Sequence, residues 1–281
     1  MASNPTAQDP TAWLGNTARC EDRLAPVLVD RIAATFGQTP LPAGAALPLL
    51  WHWAFFQEPV VAEGIGEDGH PARGGFLPPA DNRNRMWAGS RLRFVEPLRV
   101  DTPAVRESEI IAIKEKQGRT GSLLFVTVAH RYHQDGRLAI DEEQDIVYRE
   151  PSPPKLSLDR AVSQSQWHET ITPDPVFLFR YSAVTFNAHR IHYDWPYVTE
   201  AEGYPGLVVH GPLVATLLIR AFCNAHPNAR VDTFSFRGLR PLVAPKPFDV
   251  CGRIESTGSA RLWAHNDDGP AQEAELTFTE I

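Results

Sequence analysis

Apolar positions follow helical spacing in some segments and strand-like alternation in others, and the two kinds of segment occur in the same order twice. In the first half, leucine, valine and isoleucine recur with helical spacing across residues 21–36 and predict a helix. A loop rich in glycine and proline at residues 63–84 follows this helix. The strands predicted after it cover residues 85–100, 108–116, 123–133 and 138–148.

The second half has its own strands and its own helix. Residues 175–186 predict a buried strand, and the apolar run at residues 211–225 predicts a helix. The strands predicted after this helix cover residues 232–239, 248–256, 261–265 and 271–281. A helix followed by antiparallel strands, occurring twice, predicts a duplicated fold of the α+β class.

Proline and serine mark the boundary between the halves. Residues 151–165 are rich in both and show little periodicity, which is typical of an extended linker. We therefore predict an N-terminal half at residues 1–150 and a C-terminal half at residues 166–281.

Composition narrows the class of protein. The 281 residues are 43% hydrophobic and 22% charged, with a formal net charge of -7, which is ordinary for a globular protein and argues against a nucleic-acid binder with a basic stripe. The apolar stretches at residues 41–56 and 206–222 are interrupted by proline and histidine, so we expect no membrane span. Three cysteines without CxxC spacing and no evident secretory signal favour the cytoplasm.

One segment, YSAVTFNAHRIHYD at residues 181–194, concentrates polar and titratable side chains. Together with the later VVHGPL it resembles the hydratase motif of the MaoC-like family, the R-specific enoyl-CoA hydratases and hydroxyacyl-thioester dehydratases of the hot-dog fold. GGFLPP and RMWAGSRLRF are similar to the first half of the eukaryotic-type dehydratases and of the mesaconyl-CoA and itaconyl-CoA hydratases. The resemblance implies a double hot-dog, two antiparallel sheets each wrapping a central helix, with the site in the second half and the acyl tunnel shaped by the first.

The resemblance also implies catalytic positions. His192 falls on the family's histidine, Asp194 on the acidic residue two places later, and Gly211 on the glycine that opens the central helix. Asn187 stands where the family has its catalytic aspartate. A neutral imidazole can take a proton from water, and an N–H at a helix N-terminus can bind the thioester oxygen. Asn187 can orient a water but cannot transfer its proton.

Other polar side chains near the motif are candidates for further roles. His189, Tyr193 and Asp194 are the nearest options for a second acid or base, and a residue of the first half is another option. Arg190 is the most direct candidate for a distal carboxylate of the acyl group. Two clusters of basic residues are the other options: Arg237, Arg240, Lys246 and Arg253 after the central helix, which are also candidates for binding CoA, and Arg83, Arg85, Arg91 and Arg93 in the first half. The substrate-binding set is Arg190, His189, Tyr193, His210, Arg237 and Arg240.

The implied function is a hydro-lyase that adds water to an α,β-unsaturated CoA thioester, with itaconyl-CoA or mesaconyl-CoA first among substrates. A 3-hydroxyacyl-[acyl-carrier-protein] dehydratase is the alternative. Because Asn187 replaces an aspartate, a non-catalytic acyl-CoA-binding subunit also stays open, as does a thioesterase. We expect acyl-CoA as substrate and partner, no cofactor, and a homodimer as an open option. A zinc site of His189, His192 and either His210 or Asp194 is a rival interpretation that we do not adopt, because no HExxH pattern accompanies these residues.

Overall fold

Strands dominate the structure, a computed structural model that describes residues 9–80, 83–118 and 121–280. Its helices are α1 (Pro26–Thr35), α2 (Pro175–Val184) and α3 (Gly211–Ala225). Its strands are β1 (Thr17–Arg23), β2 (Asn84–Phe94), β3 (Pro103–Gly118), β4 (Gly121–Gln134), β5 (Arg137–Arg149), β6 (Trp167–Ile171), β7 (Ala229–Gly238), β8 (Phe248–Ser256), β9 (Ser259–Asn266) and β10 (Gly269–Glu280).

The ten strands form one antiparallel sheet in the order β1-β3-β4-β5-β2-β7-β10-β9-β8-β6. The sheets of the two halves join where β2 pairs with β7, from Gly89 opposite Arg237 to Arg93 opposite Thr233. Gly89 suits this seam because a Cβ atom there would lie 2.2 Å from the carbonyl oxygen of Phe236. The α+β double hot-dog expected from the sequence is confirmed, with its two sheets continuous through β2 and β7.

Helix α3 is the central helix of the second half, and its bounds match the predicted segment. It is apolar on nearly every face, as expected of a helix enclosed by its own domain. Its buried side chains include Leu213, Leu218 and Phe222, and it packs against β6 to β10. The sheet therefore holds the helix N-terminus at a fixed place.

The first half encloses a different element. Residues 50–56 are buried and contain a single 3₁₀ turn, in which Trp53 packs against Trp87 with ring centroids 4.9 Å apart and His52 against Tyr132 at 4.8 Å. The prolines and glycine at positions 40–48 disfavour a long helix ahead of this turn. The arrangement therefore differs from the expectation of one central helix in each half.

Two of the elements predicted from the sequence, one in each half, differ from those in the structure. The predicted strand at residues 175–186 is helix α2, which Asp174 caps by accepting a hydrogen bond from the Phe177 N–H at 2.9 Å. A short apolar run satisfies a buried strand and a buried helix equally well, and the capping aspartate with Pro175 decides for the helix. The helix predicted at residues 21–36 begins only at Pro26, because residues up to Arg23 pair with β3.

Residues 150–166 connect the halves without helix or strand. The Leu158 N–H donates to the carbonyl oxygen of Asp268 at 2.8 Å, which fixes this segment to the turn between β9 and β10. Pro154 and Lys155 then line the main cavity described below. No helix in the described part of the chain is long and apolar enough to cross a membrane.

Candidate active site

The polar segment begins at the end of helix α2. Phe186 has a left-handed backbone with φ of 50°, which turns the chain away from the helix axis. The Asn187 side-chain oxygen then accepts the His189 N–H at 3.0 Å, and residues 190–192 form a 3₁₀ turn. Local turn chemistry of this kind is what asparagine favours. The turn carries His192 into the interior.

His192 is held in one tautomer. Its Nδ1 lies 2.7 Å from the carbonyl oxygen of Val208, and because that oxygen can only accept, Nδ1 carries the proton. Nε2 then has a free lone pair and no hydrogen-bond partner among the described residues. Burial lowers the pKa of His192 to about 4, against a weaker opposing effect of the Val208 carbonyl. The imidazole is therefore neutral near pH 7.

His210 supports His192 from behind. The two rings stack with centroids 3.6 Å apart, and Nε2 of His210 hydrogen-bonds to the Ser182 hydroxyl at 2.8 Å. His210 is fully buried and does not line the main cavity, and burial holds its pKa well below the usual value. His210 is therefore not placed to contact a substrate in the main cavity, unlike the substrate-binding role expected from the sequence.

A loop of the first half brings in groups that the sequence did not single out. Nδ1 of His70 lies 3.2 Å from the Asp68 carboxylate, and the His70 backbone N–H donates to the same carboxylate at 3.0 Å. Burial alone would raise the pKa of Asp68, but the side-chain and backbone hydrogen bonds from His70 lower it overall. The His70 ring lies 4.3 Å from that of His189.

Gly69 allows this loop to approach the motif. A Cβ atom on Gly69 would lie 1.9 Å from the carbonyl oxygen of Ala188, and its φ of +89° already favours glycine. The Arg190 N–H donates to the Asp68 carbonyl at 2.9 Å, which ties the two halves together beside the site. The only sequence signal was an Asp-Gly-His triplet within the Gly/Pro-rich loop, more than a hundred residues from the motif.

Gly211 presents an N–H at the start of helix α3. No described residue accepts a hydrogen bond from it, and the space where a Cβ atom would stand is open. Pro212 follows and has no N–H of its own. The unpaired donors of a helix N-terminus attract a negatively charged oxygen.

His70, Asn187, His192 and Gly211 line one cavity of about 430 Å³, the main cavity, to which both halves and the connecting segment contribute. A neighbouring cavity of about 640 Å³ meets it at His70, Arg85, Trp87, Asn187 and Pro212. His189 also lines the main cavity. Burial lowers the pKa of His189 to about 2, so it is also neutral near pH 7.

Asp194 and Arg190 lie outside the main cavity. The Asp194 carboxylate accepts from the Arg190 guanidinium at 2.8 Å and from the Tyr197 N–H at 3.2 Å, while Arg190 also stacks over the Tyr197 ring at 4.1 Å. Both side chains are therefore engaged in holding the local turn, contrary to the catalytic and carboxylate-binding expectations. Tyr193 lines the neighbouring cavity, and its hydroxyl donates to the Ala188 carbonyl at 3.0 Å.

The two arginines expected after the central helix have different environments. Arg237 is exposed and pairs with Glu273 at 2.9 Å, so it is a surface residue away from both cavities. Arg240 lines the main cavity, and its guanidinium donates to the Pro241 carbonyl at 3.2 Å and to Asn266. Of the two, Arg240 alone stands where a substrate can reach it.

The described residues bring together a different trio of metal-ligating types from the one considered in the sequence. Ligand atoms of Asp68, His70 and His189 all lie within 4.8 Å of one another. Two histidines of the zinc site considered from the sequence already have other partners: His192 hydrogen-bonds to the Val208 carbonyl, and His210 hydrogen-bonds to the Ser182 hydroxyl. Asp68 and His70 also hydrogen-bond to each other, an arrangement that orients an imidazole without a metal.

Comparison with known sequences points to one family. The family described as hydroxyacyl-thioester dehydratase type 2 matches residues 50–244. A mesaconyl-C(4)-CoA hydratase of Chloroflexus aurantiacus is 47% identical, over 88% of this chain and 90% of that protein. A mitochondrial hydroxyacyl-thioester dehydratase type 2 of Schizosaccharomyces pombe is 28% identical, over 86% and 91%.

Comparison with solved structures supports the same fold. A MaoC-like dehydratase superposes with a TM-score of 0.74 at 13% identity, covering 96% of this chain and all of that one (100%). A conserved protein of Mycobacterium tuberculosis described as a double hot-dog superposes with a TM-score of 0.61 at 14% identity, covering 95% and 96%. At such identities the likeness concerns the fold alone.

Proposed function

The chain belongs to the hydroxyacyl-thioester dehydratase type 2 family, and on that basis we propose that it is a hydro-lyase that adds water to an α,β-unsaturated CoA thioester. The observation that supports this most is the pairing, in one cavity, of a neutral imidazole nitrogen with an unpaired helix N-terminal N–H. Hydration needs a base for water and a donor for the developing enolate oxygen, and these are the two groups present.

The proposed substrate is mesaconyl-C(4)-CoA, with itaconyl-CoA as the nearest variant. The choice rests on the 47% identity to a mesaconyl-C(4)-CoA hydratase across most of both chains. In this thioester the β-carbon carries a methyl group and a free carboxylate. The enzyme must therefore activate water beside a negative charge.

His192 is the proposed base. Nε2 takes a proton from water while the water oxygen bonds to the β-carbon, and the electron pair of the double bond moves through the α-carbon to the thioester oxygen. The Gly211 N–H donates to that oxygen as it becomes negative. The imidazolium of His192 then returns a proton to the α-carbon, which restores the neutral base and completes the addition of one water. The Val208 carbonyl keeps Nε2 directed to the cavity throughout.

Asn187 and His70 together hold the reacting water, in place of the aspartate that the family has at position 187. The Asn187 oxygen is occupied by the His189 N–H, so its amide N–H₂ is the part free to hold a water. His70 adds a titratable imidazole on the same cavity, oriented by Asp68 as carboxylates orient catalytic histidines elsewhere. We propose that His70 accepts a hydrogen bond from the second hydrogen of the reacting water, while His192 carries out the proton transfer.

A panel of CoA thioesters tests the function. Loss of enoyl-thioester absorbance on mixing with mesaconyl-C(4)-CoA or crotonyl-CoA, with no release of free thiol, is the expected result. Thiol release would identify a thioesterase. A shift in melting temperature without any change in absorbance would identify a binding subunit and contradict the proposal.

A further inference from the structure

Arg85 occupies the junction of the two cavities. It lies near the start of strand β2 and lines both spaces together with His70 and Asn187. Tyr148 stands directly opposite it on strand β5. Arg149, Lys155 and Arg240 also line the main cavity, but of these four cationic side chains only Arg85 lines the neighbouring cavity as well.

Arg85 differs from its neighbours in having no ion-pair partner within the described ranges. Arg73, beside it, lies 3.9 Å from the Asp68 carboxylate and donates to the Ala80 carbonyl. Arg91 and Arg93, further along the same strand, pair with carboxylates of strand β5. A charged group that leaves water without a counterion is costly, which makes Arg85 unusual among these arginines.

The electrostatic surroundings leave Arg85 available for an anion. Burial lowers the pKa of Arg85, although the group stays charged near pH 7 because a guanidinium begins from a very high value. His70, His189 and His192 are neutral, since burial lowers the pKa of each. Asp68, the nearby carboxylate, is already hydrogen-bonded to His70. The same carboxylate lies 3.9 Å from Arg73, so Arg85 is left without a carboxylate partner among the described residues.

We propose that Arg85 binds the free carboxylate of a short dicarboxylic acyl-CoA and thereby selects such substrates over monocarboxylic ones. The inference rests on the proposed hydratase function and deepens it. When the carboxylate is attached to the β-carbon that water attacks, its counterion must stand beside the water-activating histidines. Arg85 meets this requirement by sharing the cavity surface with His70 and Asn187. A guanidinium also matches a carboxylate with two parallel N–H donors.

The other arginine candidates are less suitable. Arg190 is bound to Asp194 and lies outside the main cavity, and Arg237 is bound to Glu273 on the surface. Arg240 lines the cavity but donates to Asn266 and to backbone carbonyls at the end of the sheet. Arg85 alone among these combines a place at the histidine cluster with an unpaired charge in the described structure.

Calorimetric titration with two saturated analogues tests the proposal without relying on turnover. Methylsuccinyl-C(4)-CoA carries the carboxylate, and isovaleryl-CoA has a methyl group in its place. We expect Arg85→Met to weaken binding of methylsuccinyl-C(4)-CoA by about 10- to 100-fold, the range for a lost charged hydrogen bond, and to leave isovaleryl-CoA within about 3-fold. Arg85→Lys should retain part of the preference, because it keeps the charge but loses the fork.

Arg93→Met is the matched control, since Arg93 lies on the same strand and pairs with Asp141 at the surface. It should behave like the wild type with both analogues. Equal weakening of both analogues by Arg85→Met, no weakening of either, or the same effect from Arg93→Met would overturn the proposal. Hydration of mesaconyl-C(4)-CoA by the wild type is measured in parallel. If the wild type does not hydrate this thioester but the preference for the carboxylate still depends on Arg85, the proposed binding site is supported and the proposed hydratase function is contradicted.

Discussion

Nδ1 of His192 donates to the carbonyl oxygen of Val208 across 2.7 Å. This contact leaves Nε2 as the basic nitrogen on the cavity that also contains the Gly211 N–H. Val208 precedes helix α3 by a few residues, so one short stretch of chain both orients the base and supplies the oxyanion donor.

The pH dependence of the reaction should report the unusual pKa of His192. Because the base must be neutral and burial lowers its pKa to about 4, kcat/KM should stay constant from neutral pH down to about pH 5. It should then fall as the pH approaches 4, when His192 takes up a proton. Circular dichroism at each pH confirms that the chain is still folded. An acid limb centred near 6.5, the value of an exposed histidine, would contradict this environment for His192.

The Asp68 and His70 pair should contribute to turnover more than to folding. His70→Gln removes from the cavity the imidazole that orients the reacting water, and we expect kcat to fall by about 100-fold, as for loss of a group that positions a reactant. Asp68→Asn removes the orienting carboxylate and should lower kcat by about 10-fold. Steady-state kinetics with mesaconyl-C(4)-CoA measures both. A wild-type kcat in His70→Gln would contradict a role for His70 and show that His192 and Asn187 are sufficient for hydration.

Asp194 should matter for stability instead of catalysis. Its carboxylate caps the Tyr197 N–H and pairs with Arg190, so Asp194→Ala should lower the melting temperature by a few degrees while kcat changes less than about 3-fold. Thermal melting and steady-state kinetics on the same preparation separate the two effects. A large loss of kcat with an unchanged melting temperature would return Asp194 to the catalytic role implied by the sequence resemblance.

Gly69 should be essential for the position of the first-half loop. Gly69→Ala places a Cβ atom against the Ala188 carbonyl and should displace His70, lowering kcat by at least about 10-fold. Gly74→Ala is the matched control, because Gly74 also has a left-handed φ, +91°, but open space around it. Both variants carry the backbone strain of about 1 kcal/mol expected of alanine in this conformation. If the two variants lose activity equally, strain in the loop explains the effect and the close contact does not.

The parts of the fold that could be predicted are those set by local periodicity. Helix α3 combines a long apolar run with a proline at its start, and the long strands are separated by glycine turns, so their order was evident. Helix α2 was not predicted, because ten mostly apolar residues carry too little periodicity to distinguish helix from strand. Asp174, its N-cap, was the signal that was missed.

The candidate site divides in the same way. His192, Asn187 and Gly211 came from a motif within one stretch of chain, and all three line the cavity. Asp68 and His70 could not be predicted because only the pairing of the two halves brings them beside His189. Arg190, the candidate for the substrate carboxylate, instead pairs with Asp194, and the i,i+4 spacing of the two residues favours such a local ion pair.

Hydration of mesaconyl-C(4)-CoA by the wild type and by His192→Ala is the most direct test of the account. We expect rapid loss of enoyl-thioester absorbance with the wild type, and a kcat at least about 10³-fold lower in the variant, the loss expected when a general base is removed. The variant should still bind methylsuccinyl-C(4)-CoA, which shows that the cavity is intact. Turnover near the wild-type rate in His192→Ala would contradict the central claim.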